Sequence, residues 1–414
     1  MIGRQLEYSA ALPPTWQVTT VGKIGSYLNG FAFKPDHWST DGLPIIRIQN
    51  LNDFRKPFNY FNGEIPEKYR INDGDILVSW SASLGTFRWN RGDAWLNQHI
   101  FKATPNLKNV TDDFFFWVMV HAIQRIASNA RGSTMKHVTG KEFSNSQVAL
   151  PPLPEQKKIA HILSMVQRAI EAQERIIQTT TELKKTLMHK LFTEGTRGEP
   201  QKQTEIGLIP ESWELISIED LFETQLGKML SRKSKVGDSP KPYLRNKNVQ
   251  WGRIDTGDML QMDFNDREME KFQLRKGDLL VCEGGEVGRA ALWDGSINEC
   301  YYQKALHRLR PKTKQITNEY MAHWMMFAFL LTNTYGVTGT RTTIAHLPEI
   351  KLKPLLVPTP SPEERDMIVC ALDSSEQKIE KHRRKHVQLQ DLFRTLLHKL
   401  MTAKTRVNGL EPTL

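Results

Sequence analysis

The stretch Leu153–Thr193 reads LPEQKKIAHILSMVQRAIEAQERIIQTTTELKKTLMHKLFT, and the chain carries a second copy of its pattern near the other end. Residues Pro362–Thr402 read PEERDMIVCALDSSEQKIEKHRRKHVQLQDLFRTLLHKLMT. The differences 362 − 153 and 402 − 193 both equal 209, so the two copies align without a gap. The fold therefore contains an internal duplication.

Each copy predicts a long helix with a coiled-coil seam, because its seam positions follow alternating steps of four and three. Prolines precede both copies, and Gly195 and Gly198 follow the first. About 40 residues at about 1.5 Å each give a rod roughly 60 Å long. The apolar seam positions are Ile159, Leu163, Val166, Ile170, Ile177, Leu187 and Leu191 in the first copy and Ile368, Leu372, Ile379, Leu389, Phe393, Leu396 and Leu400 in the second.

Both seams have apolar ends and polar middles, with Gln173, Thr180 and Lys184 in one copy and His382 and His386 in the other. Isolated polar seam positions lower stability while they fix the register of a pair. We therefore expect the two helices to pair with each other rather than with helices of another chain.

The duplication extends beyond the helices, with offsets that drift from 197 to 206. The matched segments are LPPTW at 12–16 with IPESW at 209–213, PIIRIQNL at 44–51 with PYLRNKNV at 242–249, DGDILVSWSASLG at 73–85 with KGDLLVCEGGEVG at 276–288, and NQHIFKATP ending at 105 with YQKALHRLRP ending at 311. Helical segments follow at 112–129 and 318–333. Drifting offsets indicate loops of different length on one scaffold.

Short apolar or alternating runs at 44–48, 75–79 and 99–103 predict strands in each copy of this scaffold. The predicted fold class is α/β (α+β). Two mainly β domains with short helices are joined by two long antiparallel coiled-coil helices with pseudo-twofold symmetry. The expected boundaries are 1–150 for the first domain, 151–195 for the central helix, 196–358 for the second domain and 359–414 for the C-terminal helix.

This order of elements has a geometric consequence. If the halves are equivalent and the rods pair, the rods run antiparallel and the two domains lie inverted at opposite ends of a strut. Two domains held at a fixed distance suit two spaced half-sites on one long ligand. Double-stranded DNA, whose major groove repeats about every 34 Å, is the obvious candidate.

Composition narrows the class of protein without deciding its function. The 414 residues are 39% hydrophobic, and the three cysteines have no disulfide or zinc spacing, which favours a reducing, cytoplasmic setting. The longest apolar runs are too short to span a bilayer. The formal charge of +10 fits a polyanionic partner but does not require one.

The layout resembles the specificity subunit of type I restriction–modification systems over nearly the whole chain. The resemblance rests on the proline-led helix starts LPPLPEQKKI and PTPSPEERDMI, the helix ends LMHKLFT and LLHKLMT, and the segments GDILVS and GDLLVC. One departure is Glu364-Arg365 where the first copy has Glu155-Gln156.

This resemblance implies two target recognition domains, each reading one part of a split, asymmetric DNA sequence. It also implies that the long helices act as a spacer and as the dock for two methyltransferase (modification) subunits, to which motor-nuclease (restriction) subunits add. S-adenosylmethionine, ATP and magnesium are then expected on those partners and no cofactor on this chain. The target sequence and the methylated base do not follow from the resemblance.

Two matched pairs are candidate DNA contacts, Arg47 with Arg245 and Asn50 with Asn248, expected at the ends of corresponding strands. Arginine can bond guanine bidentately and asparagine can bond adenine. The alternative is a scaffold or phosphate role, because domains that read different sequences should differ where they contact bases. Both interpretations remain open from the sequence.

Further candidates lie in basic or glycine-led segments, where density of one charge favours phosphate contacts. They are Lys34 in the first half, Lys228, Arg232, Lys233, Lys235 and Lys247 in the second, and the loop residues Ser133, Thr134, Lys136, Thr340, Arg341 and Thr342. Trp80 and Arg88 could also face DNA, although burial is the simpler expectation for the tryptophan.

Catalytic and metal-binding motifs are missing from the sequence. It has no glycine-rich phosphate loop ending in Gly-Lys-Ser/Thr, no methyltransferase tetrad and no carboxylate–lysine nuclease cluster. His382 and His386 lie four apart on a helix but lack a third ligand, so we expect no metal.

The sequence leaves two alternatives to a DNA specificity subunit. One is a non-catalytic coiled-coil adaptor whose duplicated domains bind proteins. The other is a nuclease with an unrecognised active site. Salt-dependent DNA binding and a cleavage test with magnesium distinguish them from a DNA specificity subunit.

Overall fold

A computed structural model describes residues 12–81, 83–129, 140–231, 239–335 and 346–407. Its two longest helices are α5 at Leu153–Thr193 and α10 at Pro362–Met401. The long helices predicted from the duplicated stretch are therefore confirmed. None of the described helices is long and apolar enough to cross a membrane.

The first head, as we call the elements before α5, contains ten strands, four α-helices and two short 3-10 helices (Pro35–His37 and Glu67–Tyr69) in its described residues. The strands are β1 Gln17–Thr20, β2 Gly25–Asn29, β3 Leu43–Ile46, β4 Asn59–Phe61, β5 Arg70–Ile71, β6 Ile76–Ser79, β7 Gly85–Arg88, β8 Ala94–Leu96, β9 Ile100–Pro105 and β10 Gln147–Leu150. The helices are α1 Val21–Ile24, α2 Ile48–Asn52, α3 Asp112–Asn129 and α4 Gly140–Asn145.

The second head lies between the long helices and follows a short hairpin of β11 Gln201–Thr204 and β12 Gly207–Pro210. Its strands are β13 Glu214–Ser217, β14 Phe222–Leu226, β15 Pro240–Leu244, β16 Val249–Gln250, β17 Arg253–Ile254, β18 Leu260–Asp263, β19 Leu279–Cys282, β20 Ala290–Leu292, β21 Tyr301–Tyr302, β22 Leu306–Pro311 and β23 Leu356–Thr359. Its helices are α6 Ile218–Leu221, α7 Asp266–Phe272, α8 Asn318–Met325 and α9 Glu349–Leu352.

The two heads share most of their topology, although the second sheet has four strands in the first head and three in the second. A four-stranded sheet has the order β2-β9-β6-β7 in the first head and β14-β22-β19-β20 in the second. A second sheet is built around β3 in the first head and around β15 in the second. Each of these strands pairs with one antiparallel and one parallel neighbour. The antiparallel pairs β1-β10 and β13-β23 connect the start of each head to the strand before its long helix. The mixed fold class predicted from the sequence is confirmed.

The chain divides into two compact units, and the boundary between them crosses both long helices. One unit joins the residues up to Glu174 with those from Arg384 onward, and the other spans Arg175–Arg383. Each unit thus holds one head with part of α5 and part of α10.

Within each unit the two helices run antiparallel. In the first unit, His386 Nε2 lies 3.0 Å from Glu174 Oε1, and Arg406, beyond the end of α10, bonds Glu155 at the start of α5. In the second unit, Lys184 Nζ donates to Glu376 Oε2 at 2.6 Å, and Thr196, beyond the end of α5, bonds Glu364 at the start of α10. In both units the residue numbers rise along one helix as they fall along the other.

All fourteen predicted seam residues are buried or half-buried, but those at the helix ends do more than pair the helices. Ile159 and Leu163 of α5 and Phe393 of α10 belong to the same buried cluster as Phe114 and Trp117 of α3. Ile368, Leu372 and Leu191 join the core of the second head in the same way. The apolar ends of each helix therefore hold a head, which explains why the apolar residues concentrate there.

Two of the polar middle positions, Lys184 and His386, bond acidic residues of the other helix. Lys184 is only 7% exposed at its side chain, and its ammonium group bonds Glu376. His386 bonds Glu174 in the other unit. Because a buried charge without a partner is costly, these pairs favour one register of the two helices.

Two details differ from the sequence expectation. The strand β3 ends at Ile46, so Arg47 is the N-cap of the short helix α2 and Asn50 lies within that helix rather than on a strand. The helix predicted at 318–333 is α-helical only to Met325 and continues as a π-helix at Met326–Leu331. Tight packing of Phe327 against Phe192 of α5 accompanies this change of helix type, with ring centroids 5.1 Å apart.

Candidate nucleic-acid interface

Most of the described candidate residues of each head lie at one end, which we call the loop end. In the first head, β2 and β6 end where β7 and β9 begin, because these strands alternate in direction. The strand β3 runs parallel to β8, which leads directly into the turn before β9. The described residues of the loop end of the first head are 29–34, 47–50, 80, 81, 83, 84 and 97–99.

The loop end of the second head forms in the same way. The strands β14, β15 and β19 finish where β20 and β22 begin. Its segments are residues 226–228, 245–248, 283–288 and 303–305. His346 forms a bridge with Gly284 and therefore also lies at this loop end.

Four backbone hydrogen bonds recur at both loop ends, and we call them the frame. In the first head, the N–H groups of Phe31, Gly30, Gln98 and Trp80 donate to the carbonyls of Leu96, Ile100, Phe31 and His99 at 2.8, 3.1, 2.8 and 3.3 Å. In the second head, the N–H groups of Lys228, Gly227, Lys304 and Glu283 donate to those of Tyr302, Leu306, Lys228 and Ala305 at 3.1, 3.0, 2.8 and 3.0 Å.

A glycine is required at the centre of each frame. A Cβ atom on Gly30 would lie 2.1 Å from the carbonyl oxygen of Asn97, and one on Gly227 would lie 2.4 Å from that of Gln303. Both distances are far inside van der Waals contact. The glycines thus let two backbone segments approach at the same place in each head.

Asn50 and Asn248 have identical scaffold roles. Asn50 is fully buried, accepts from the N–H of Arg47 at 3.1 Å, and donates to the carbonyls of Lys56 and Pro57. Asn248 is 2% exposed and makes the matching bonds with Arg245, Asp255 and Asp258. Because both amides are enclosed and satisfied, the scaffold role is supported over the base contact considered for this pair.

Arg47 and Arg245 keep similar positions but have different partners. Arg47 donates to Asn59 Oδ1 at 3.0 Å and lies 5.5 Å above the ring of Trp38, which is 42% exposed. Arg245 donates to the Asp258 carbonyl and lies 3.1 Å from its carboxylate. Lys247 and Arg245 both hydrogen-bond that carboxylate and lower the pKa of Asp258. These partners hold both guanidinium groups at the loop ends.

The basic segment of the second head is less positively charged than its sequence indicates. The ammonium group of Lys228 bonds Glu268 and the Asp263 carbonyl and lies 4.9 Å from the ring of Phe264. Lys247 pairs with Asp258. Neighbouring carboxylates thus neutralise part of the phosphate track expected in the second head. In the first head, Lys34 is exposed.

Nine candidate residues remain predictions because they lie outside the described residues. They are Ser133, Thr134, Lys136, Arg232, Lys233, Lys235, Thr340, Arg341 and Thr342.

Trp80 and Arg88 have structural partners. The Trp80 ring is half-buried against His99 and Phe101, at centroid distances of 5.1 and 5.6 Å, and its N–H donates to Asn29 Oδ1 at 3.3 Å. Arg88 bridges the carboxylates of Asp112 and Asp113 at the start of α3. The tryptophan lies at the loop end and the arginine lies away from it.

A buried histidine supports the loop end of the second head. His307 of β22 is fully buried, and its Nε2 lies 2.8 Å from the carbonyl oxygen of Leu347. Burial lowers the pKa of His307. Because a carbonyl oxygen can only accept, Nε2 donates this bond. The bond fixes the position at which the chain leaves the loop end toward α9.

One hydrogen-bonded joint in each unit connects the head to the long helices. The sequence did not reveal these joints. In the first unit, the Trp16 indole donates to Glu155 Oε2 at 3.0 Å, and Arg406 bonds both oxygens of that carboxylate at 2.8 and 3.0 Å.

The second unit repeats this joint. The Trp213 indole donates to Glu364 Oε2 at 3.1 Å, the Thr196 N–H donates to Oε1 at 2.7 Å, and Arg197 lies 3.6 Å away. The available signal was that Arg197 and Arg406 repeat at the same offset of 209 as the helices.

Among the described residues, no group of three histidine, cysteine or acidic side chains is arranged to hold a metal ion. The histidines considered as a metal pair lie on α10, where His386 bonds Glu174.

Taken together, the duplicated heads, their matched loop ends and the paired helices define a two-headed recognition scaffold. Residues 13–181 and 210–390 both match the family described as "Type I restriction modification DNA specificity domain". These two matches cover most of the chain, which therefore belongs to this family.

Similar proteins span nearly the same length. The chain is 27% identical over 418 residues to the type I restriction enzyme MjaVIII specificity subunit of Methanocaldococcus jannaschii, covering 96% of this chain and 95% of that protein. It is 24% identical to the EcoBI specificity subunit of Escherichia coli, covering 89% and 81%. The fold matches the crystal structure of a type I restriction–modification S subunit from M. genitalium with a TM-score of 0.59 at 14% identity, covering 95% and 98%.

Proposed function

We propose that this chain is the DNA-specificity subunit of a type I restriction–modification complex. Each loop end binds one half-site of a split, asymmetric DNA sequence. The observation that carries this proposal is that two copies of a DNA specificity domain present the same frame with different side chains. A duplicated scaffold with divergent side chains suits the reading of two different sequences on one molecule.

The chain is proposed to act without chemistry of its own. Methyltransferase subunits dock on the long helices, and motor-nuclease subunits join through the assembled complex. S-adenosylmethionine, ATP and magnesium belong to those partners. Support comes from the family, whose members are named specificity subunits, and from the outward faces of α5 and α10, which expose Met165, Leu183, Met367, Val387 and Leu392. Exposed apolar side chains on helices are typical of a protein contact.

The two heads bind one DNA molecule together. Once one half-site is engaged, the second engagement is intramolecular and gains from a high effective concentration. Modest affinity at each head therefore suffices for tight binding to a sequence that carries both half-sites, and a sequence with one half-site binds weakly.

Reconstitution with the methyltransferase subunits tests this proposal. The complex should methylate a split sequence, and the positions of the modified bases identify both half-sites. Binding should weaken steeply with salt, because each neutralised phosphate releases a counterion and contributes about −0.9 to the slope of log K against log salt. Salt-independent binding to proteins only would instead favour an adaptor, and cleavage of plasmid DNA by the chain alone with magnesium would indicate a nuclease.

A further inference from the structure

The frame holds four side-chain positions in the same backbone setting in both heads. These frame positions are occupied by Phe31, Trp80, Gln98 and His99 in the first head and by Lys228, Glu283, Lys304 and Ala305 in the second. The backbone bonds match one for one, while every side chain differs. Positions that preserve the backbone and vary the chemistry are the ones at which two heads can differ in what they bind.

The first head presents aromatic rings, an imidazole and an amide at its frame positions. Trp80 packs on His99, and Gln98, half-buried, lies in the turn that follows Asn97. His99 has a φ of +72°, a left-handed conformation that is strained for a non-glycine residue. Its Nδ1 and the Oδ1 of Asn97 are buried without a hydrogen-bond partner among the described residues. Strain and unsatisfied polar atoms of this kind concentrate at binding sites.

The second head presents charged groups at three of its four frame positions. Lys228 is held by Glu268 and Phe264, which leaves Lys304 and Glu283 as the groups that can meet a ligand. Lys304 is exposed and Glu283 is half-buried, and neither forms an ion pair within the described part of the chain. Ala305, in the place of the strained His99, does not have a positive φ.

We propose that the frame positions determine base specificity, and that they give the two heads different base preferences. Lysine donates to the O6 and N7 acceptors of guanine, and a glutamate accepts from the N4 amino group of cytosine. Lys304 and Glu283 therefore select a G·C pair in the half-site that the second head reads. Gln98, whose amide both donates and accepts, bonds adenine in the half-site read by the first head. This inference rests on the proposed DNA-binding function.

The alternative role for Lys304 is a phosphate contact. A phosphate contact strengthens binding to every sequence alike, whereas a base contact changes the preferred sequence. The two roles are separated by measuring which bases the complex accepts rather than how tightly it binds.

The experiment uses the full chain assembled with its methyltransferase subunits, and maps methylated positions on a library of DNA sequences. The variant is Lys304→Gln, and the matched control is Lys312→Gln at the other end of the same strand, β22. Lys312 is also exposed, and its ammonium group bonds the Glu219 carbonyl. Lys304→Gln should relax the preference for one base pair of the second half-site by about 5- to 150-fold, the range for a good base contact.

The first half-site should stay unchanged in Lys304→Gln, and Lys312→Gln should leave both half-sites unchanged. Gln98→Ala should relax one base pair of the first half-site only. Lys304→Arg retains a guanine-bonding side chain and should preserve the wild-type sequence, which also shows that substitution at this position is compatible with folding.

Three outcomes would overturn the inference: uniform weakening of binding by Lys304→Gln with an unchanged sequence, no effect of either frame variant, or relaxation of the half-site read by the other head. All three presuppose a wild-type complex that methylates a split sequence. A wild-type complex that methylates no such sequence would instead refute the proposed function.

Discussion

The joint between Trp213 and Glu364 offers a direct measurement of what holds the second head to the long helices. Both side chains are fully buried, and the indole N–H donates to the carboxylate at 3.1 Å. Trp213→Phe removes the donor, and Glu364→Gln removes the charge of the acceptor with little change of shape. Each single variant leaves a buried polar group poorly paired, so both should lower the free energy of unfolding of this unit.

The magnitude follows from burial. A hydrogen bond to a charged group contributes roughly 1.5–3 kcal/mol, and a residue that is 0% exposed has no water to replace it. Glu364 also accepts from the Thr196 N–H at 2.7 Å, so the glutamine variant loses more than the indole bond alone. The double-mutant cycle isolates the indole–carboxylate coupling, which we expect at roughly 1.5–3 kcal/mol.

Hydrogen–deuterium exchange of the paired strands β13 and β23 is the assay, because β13 begins at Glu214, directly after Trp213. Exchange reports the free energy of this unit by itself, and the measurement therefore does not require a single unfolding transition for the whole chain. The control cycle uses Trp251 and Glu286, whose indole–carboxylate bond lies at the surface. Its coupling should be below about 0.5 kcal/mol. Equal coupling in the two cycles would refute the reasoning from burial.

Three further predictions concern the frame, a buried histidine and the long helices. Gly30→Ala and Gly227→Ala should each destabilise their head, because the added Cβ would lie 2.1 or 2.4 Å from a carbonyl oxygen, whereas Gly140→Ala, with open space around it, should not lower the melting temperature. Burial, together with repulsion from the positive charges of Arg125 and His398, lowers the pKa of His121 to about 3. Its contribution to stability is present above the unfolded pKa of about 6.5 and is lost as the pH falls toward 3, by roughly 3–5 kcal/mol. His121→Met should flatten urea-unfolding free energies across that range, and an unchanged pH dependence would contradict this. Inserting seven residues at aligned positions in both long helices lengthens each by about 10 Å. The unread spacing between half-sites should then change and the half-sites should not, and methylation mapping that returns the original spacing would count against the spacer role.

Several expectations from the sequence were confirmed because they depend on local pattern. The long helix α5 spans Leu153–Thr193, as its periodicity predicted, and α3 spans Asp112–Asn129, where a helical segment was expected. Side chains three and four residues apart lie on one helical face whatever surrounds the helix, so periodicity alone is sufficient evidence. The duplication was equally visible, since it is a comparison of the sequence with itself.

The roles of the matched pairs could not be predicted in this way. Arg47 and Asn50 recur in the second head, and the sequence left base contact and scaffold both open. Burial decided for the asparagine: its amide bonds carbonyls six and seven residues away and is closed off from any ligand. Exposure of a side chain depends on what folds over it, which a short motif does not record.

By itself, the sequence determined the repeat, the two long helices and the class of fold, because these follow from spacing along the chain. Only the tertiary structure decided which residues meet. The joint of the first unit links Glu155 with Trp16, 139 residues before it, and with Arg406, 251 residues after it. It likewise showed that two segments with different side chains, such as Gln98 and Lys304, occupy one frame. A hydrogen bond depends on distance and direction in space, and residues remote in sequence acquire these only when the chain has folded.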